Sequence, residues 1–185
     1  MIPYKQPISV LVVIYTTPIE ATRHSTQPVN NPIQIAASAT GSEQLLDFEI
    51  LLLERADHPG YWQSVTGSRE AQEALEQTAA REVREETGID VTHHTLRDCQ
   101  VENHYEIYPQ WRHRYGPTVT HNTEHVYTLK MSRHVAITLS PKEHLRFGWW
   151  PWREAAEMVF SPSNREAILS LAARESRADG RLKEW

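Results

Sequence analysis

With 185 residues, 19 basic against 24 acidic side chains and a net charge of −5, the chain is long enough to bury a real core and has no long basic run for nucleic acid. Its single cysteine, Cys99, excludes an internal disulfide and fits a reducing compartment. The apolar run from Ile8 to Tyr15 is too short for a membrane span and lies too far from a positive N-terminus for a leader. These features predict one domain over residues 1–185, cytoplasmic, a monomer or homodimer, with neither nucleic acid nor membrane as partner.

In chain order, Ser9 to Tyr15 is almost wholly apolar and β-branched, which predicts a buried central strand, and Phe48 to Glu54 predicts a second. Residues 16–46 between them are rich in Pro, Thr, Ser, Asn and Ala and read as a long surface excursion. Tyr61 to Thr66 leads into a helix expected from about Ala74 to Thr87, closed by Gly88 in a left-handed cap. Leu96 to Ile107, Glu124 to Met131 and Leu145 to Trp150 have strand character, and Cys99 falls within the first of them. A helix from about Trp152 to Val159 follows. Another is expected to start at Ser163, where Ser163 and Glu166 have capping-box spacing. Strands flanking one acid-bearing helix, with helices at the C-terminal end, predict a layered α/β domain.

The chemistry concentrates in Gly67 to Ile89. Glu82, Glu85 and Glu86 crowd the end of the expected helix, and Glu82 and Glu86 continue the stripe of Leu75 and Ala79 that points towards the protein. The helix macrodipole disfavours each acid there by about 0.3–1 kcal/mol, and mutual repulsion adds to this. A bound hard cation compensates most simply, since carboxylate oxygens suit Mg²⁺, Mn²⁺ or Ca²⁺. Taken alone, the acids also suit a solvated face supported by Arg81 and Arg84.

The spacing of Gly67, Glu73, Arg81, Glu82, Val83, Glu85, Glu86, Gly88 and Ile89 is that of the Nudix box, G-x5-E-x7-R-E-U-x-E-E-x-G-U, at every defined position. The chain therefore resembles the Nudix hydrolases, which cleave nucleoside-diphosphate-like linkages with a divalent metal. It departs from a common habit of that family at Gln72, where many members carry Gly. The resemblance implies an α/β/α sandwich, Mg²⁺ or Mn²⁺ as cofactor, and Glu82, Glu85 and Glu86 as metal-holding, catalytic acids. Glu143, just before the last strand, stands where related enzymes place a further metal-binding or base carboxylate. Glu73 is expected to pair with Arg81 and hold the loop against the helix.

Outside the box, PISVLVVIY, WQSVTGS, RHRYGPTVTHNTE, EHLRFGW and SNREAI look like the bacterial Nudix enzymes that split dihydroneopterin triphosphate into the monophosphate and pyrophosphate. On that resemblance Lys5, Arg55, Thr66, the Tyr105-Glu106-Ile107-Tyr108 segment and Ser161 would line the pocket. A turn or helix cap is an equal reading of Ser161. Trp111 to Tyr115, WRHRY, suits a phosphate-bearing heterocycle and equally a solvated hairpin. Two other readings share the box: a hydrolase of (deoxy)nucleoside triphosphates or dinucleoside polyphosphates, and a non-catalytic ligand-binding module.

Overall fold

The structure is a computed structural model and describes residues 4–16 and 48–178. Seven strands form one mixed sheet: β1 (Ile8–Thr16), β2 (Glu49–Arg55), β3 (Trp62–Gln63), β4 (Val65–Ser68), β5 (Thr95–Glu106), β6 (His121–Met131) and β7 (His144–Pro151). The order is β3-β2-β1-β6-β5, with β4 also pairing β1 and β7 also pairing β2. β1 runs parallel to β6, in register from Ile8 opposite Thr123 to Thr16 opposite Met131. Its other edge is shared, with β4 along Ser9 to Val12 and β2 at Tyr15 and Thr16. This central position explains why the segment is apolar on both faces.

The two-residue side-chain period sorts β1 into two cores. Leu11, Val13 and Tyr15 pack with Phe48, Ile50 and Leu52 beneath Ala155 and Ala156 of α2 (Trp152–Met158) and Ile168 and Leu171 of α3 (Pro162–Ala178). Val10, Val12 and Ile14 point the other way and pack with Leu51, Leu53, Tyr127 and Leu129 against Ala79 and Val83 of α1 (Leu75–Thr87). The result is the α/β/α sandwich expected from the resemblance. Among the described residues no helix is long and apolar enough to cross a membrane.

Two element starts differ from the sequence expectation. β6 begins at His121, three residues before Glu124, because its antiparallel pairing with β5, Glu106 opposite His121 and Tyr105 opposite Asn122, carries the ladder further than the apolar pattern. α3 begins at Pro162, so the cap is Ser161: its Oγ accepts from Asn164 N at 3.3 Å, with Pro at the first helical position where no N–H is needed. Ser163 therefore lies inside the first turn. The excursion read over 16–46 falls, beyond Thr16, outside the described residues.

Candidate active site

The site is built at the C-terminal end of α1. Gly88 closes the helix in the left-handed region at φ 74°, and its N–H returns to Arg84 O at 2.9 Å. Carbonyls left open at the end of the helix are taken by a distant loop: Thr138 N donates to Thr87 O at 2.8 Å and Ser140 N to Glu86 O at 3.4 Å. Glu143 N and His144 N then both donate to Ser140 O, at 3.1 and 3.0 Å. These bonds bring the residues before β7 onto the helix end. A β-bulge between Glu54 and Arg55 shifts the β2–β7 register, pairing Arg55 with His144.

Glu86, Glu143 and His144 consequently offer ligand atoms that all lie within 4.8 Å of one another. Glu86 and His144 are buried and Glu143 is exposed. His144 Nε2 lies 2.9 Å from Glu86 Oε2, while its buried Nδ1 has no partner among the described residues. Burial pushes the Glu86 carboxyl above the usual carboxylate range, and hydrogen bonds from His144 and the Thr66 backbone oppose the shift. Two carboxylates beside an imidazole, one of them desolvated at a negative helix end, form a donor set suited to a divalent cation.

Glu82 and Glu85 stand apart from this group. Arg81 Nη1 reaches Glu82 Oε1 at 2.8 Å and Glu85 Oε2 at 3.1 Å. Glu82 is largely covered, and burial raises its pKa to about 7, aided by repulsion from Glu86 and Glu85 and opposed by Arg81. Its carboxyl lies over Gly67, where an added Cβ would meet Glu82 Cδ at 1.7 Å, so the glycine leaves room for the acid. Arg81 also grips Glu73 twice, at 2.8 and 3.1 Å, and donates to Ser68 O at 3.0 Å. These bonds fasten the loop to the helix and hold Glu73 down to about 2. The left-handed residue of the loop is Ala71, at φ 44°, so the Gln at 72 does not occupy the position that favours glycine.

A cleft of about 1080 Å³ opens beside Glu86, Glu143 and His144. Lys5, Arg55, Thr66, Tyr105, Glu106, Ile107, Tyr108 and Ser161 all line it, as does Gly67; Glu82 and Glu85 do not. Tyr108, Trp111 and Phe160 form an aromatic group on its wall, with Tyr108 and Trp111 edge to face at 5.5 Å. WRHRY thus belongs to the cleft in part, as a 3-10 segment, Pro109–Arg114, rather than a hairpin.

The cations around the cleft are not equivalent. Asp57 takes both Arg55 Nε and Nη2 at 2.7 Å, Arg114 Nη2 at 3.1 Å and Trp111 Nε1 at 3.2 Å. Arg55 lies 4.7 Å over the Trp111 ring and donates to Gln63 at 2.9 Å, and Gln63 donates to Thr66 Oγ1 at 3.1 Å. Arg55 and Arg114 share one counter-charge, and Arg112 is paired with Glu106. Lys5 and Lys142 line the cleft and have no ion pair among the described residues. Asp57, Lys142 and His144 were not singled out from the sequence. The only hint of His144 is its place next to Glu143 at the start of a strand.

The NUDIX domain family matches residues 38–171. Dihydroneopterin triphosphate diphosphatase of Escherichia coli (strain K12) is 38% identical over 167 residues, covering 89% of this chain and 91% of that protein. The Haemophilus influenzae protein of the same name is 35% identical over 170 residues, covering 91% of this chain and 89% of the relative. The solved structure of the E. coli dihydroneopterin triphosphate pyrophosphohydrolase superposes with a TM-score of 0.71, covering 92% of this chain and 98% of that one. The chain belongs to the Nudix family and is a Nudix hydrolase, an enzyme of a family that works with divalent metal on small phosphate substrates.

Proposed function

We propose that this enzyme hydrolyses dihydroneopterin triphosphate to the monophosphate and pyrophosphate with Mg²⁺, or Mn²⁺ in its place. The supporting observation is the placing of Glu86, Glu143 and His144 in one cleft with an aromatic wall, in a chain similar over most of its length to proteins named for that reaction. Glu86 and Glu143 would hold the cation, with Glu82 and Glu85 adding carboxylate from the same helix. The cation supplies charge neutralisation on the phosphate oxygens and lowers the pKa of attacking water. One water is consumed, the bond between the α and β phosphates breaks, and pyrophosphate leaves. Lys5 and Lys142 meet the phosphate chain directly, whereas Arg55 is oriented by Asp57 and Gln63 before substrate arrives. Tyr108 and Trp111 offer flat apolar surface to the ring, and Thr66 and Tyr105 offer hydroxyls.

A panel of triphosphates with pyrophosphate release as readout tests this reading. kcat/KM for dihydroneopterin triphosphate should exceed that for dATP and GTP by at least about tenfold, a difference of about 1.4 kcal/mol in transition-state binding. Equal rates on all of them would replace it with a general nucleoside triphosphate hydrolase. No turnover of any would leave a ligand-binding module.

A further inference from the structure

Glu124 is a buried acid in the same cleft that no step above uses. On β6 it stands opposite Ser9 of β1 and Asn103 of β5. It is 5% exposed, yet it lines the cleft together with Ser9, Asn103, Tyr105 and Ser163. Asn103 Nδ2 donates to its Oε1 at 3.3 Å, and the Ser163 and Tyr105 side chains also hydrogen-bond to it. All of these partners are neutral, and no Lys, Arg or His among the described residues pairs with it. Burial pushes its carboxyl above the usual carboxylate range, with no cation to bring it back.

Its position relative to the acids follows from the strand register. Ser68 and Glu124 flank Ser9 on opposite sides of β1, two inter-strand spacings or about 10 Å apart. β4, which carries Thr66 to the Glu86 carboxylate, therefore lies across β1 from Glu124. That is the separation needed to hold the ring of a substrate at one place and its phosphate chain at another.

We infer that Glu124 is the ring-reading residue of this cleft, its carboxylate accepting the paired N–H donors of a 2-amino-4-oxopyrimidine edge. This rests on the pterin reading above but reaches further, since guanine presents the same edge and adenine does not. A carboxylate held by neutral donors is an acceptor for two parallel N–H groups. A ring lacking them leaves the buried acid without its ligand partners, which costs binding strongly. Asn122, two residues earlier on β6, holds two of these lining groups: its Nδ2 donates to Ser9 Oγ at 2.7 Å and Tyr105 OH at 3.1 Å, and its buried Oδ1 has no partner among the described residues.

The test is Glu124→Gln, assayed on dihydroneopterin triphosphate, dGTP and dATP. Glutamine keeps the shape but turns one acceptor into a donor that faces a ring N–H. kcat/KM should fall about 30-fold or more on dihydroneopterin triphosphate and dGTP and change less than about threefold on dATP. A proportional loss on all three, as a merely structural acid would give, overturns the inference, as does no loss on any. If the unmodified enzyme fails to prefer the pterin, the pterin reading falls, but the dGTP to dATP ratio still decides the role of Glu124. Should the variant not fold, inhibition of the unmodified enzyme by neopterin and by its 2-deamino analogue decides it. Neopterin should compete at least about tenfold better, and equal inhibition overturns the inference.

Discussion

Glu86 Oε2 and His144 Nε2 lie 2.9 Å apart, both buried, although 58 positions separate them in the chain. The contact fixes the direction of the Glu86 carboxylate, and a hydrogen bond from the Thr66 backbone adds to it. Glu86→Gln keeps that shape while removing the charge. It should therefore fold normally yet lose about 10²-fold or more in kcat, the scale of deleting a key transition-state stabiliser. Turnover near that of the unmodified enzyme would remove Glu86 from the metal site.

Metal removal gives an independent check on the same carboxylates. EDTA should abolish activity, and Mg²⁺ or Mn²⁺ should restore it, because oxygen-rich donors select hard cations. Mg²⁺ should also raise Tm, as any ligand of the folded state does. Full activity in EDTA would rule out the proposed chemistry.

Gly67→Ala places a methyl group where the Glu82 carboxyl now lies, 1.7–2.2 Å from its atoms. Glu82 must swing away and loosen its bond to Arg81. Activity should drop at least about tenfold while the circular dichroism of the fold is retained. An unaltered kcat would show that the position of Glu82 over the glycine is immaterial to turnover.

Glu73→Gln acts on the opposite side of Arg81. The charge-assisted bonds between Glu73 and Arg81 fasten the loop to α1, and losing the charge should cost about 1–3 kcal/mol of stability. Tm should fall while kcat at saturating substrate and metal stays within about threefold of the original. A purely catalytic loss with unchanged Tm would contradict this role.

Stability should also depend on pH in a defined direction. Glu82 titrates at about 7 in the fold against an ordinary value of 4.5, because burial disfavours its charged form. Its contribution is complete below about 4.5 and is lost as the pH rises through about 7, amounting to about 3 kcal/mol. Glu86 shifts in the same direction. Urea midpoints in EDTA should therefore fall between pH 5 and 8, and saturating Mg²⁺ should flatten the slope by favouring the charged carboxylates. A flat profile without metal would contradict the desolvation of these acids.

The sequence by itself determined the parts whose signals are local. The apolar run of β1, the capped acidic helix α1 and the spacing from Gly67 to Gly88 are readable because propensity, capping and side-chain period act over a few residues. The same local signals located the last two helices but misplaced the start of α3, because Ser161 and Ser163 are both plausible caps until packing chooses between them. Asn164 settles that choice: its side chain accepts from Ser64 N at 2.8 Å and donates to Ser64 Oγ at 2.9 Å, across 100 positions.

Only the tertiary structure decided which acids meet. Glu82, Glu85 and Glu86 look alike in the chain, yet Arg81 holds the first two while the loop before β7 brings Glu143 and His144 to the third. Likewise, nothing local in the chain shows that Arg55 and Arg114 share Asp57, and Glu124 reads as a strand residue until β1 and β5 enclose it. These pairings are set by strand register and by backbone bonds between distant segments. No short window of sequence contains both partners.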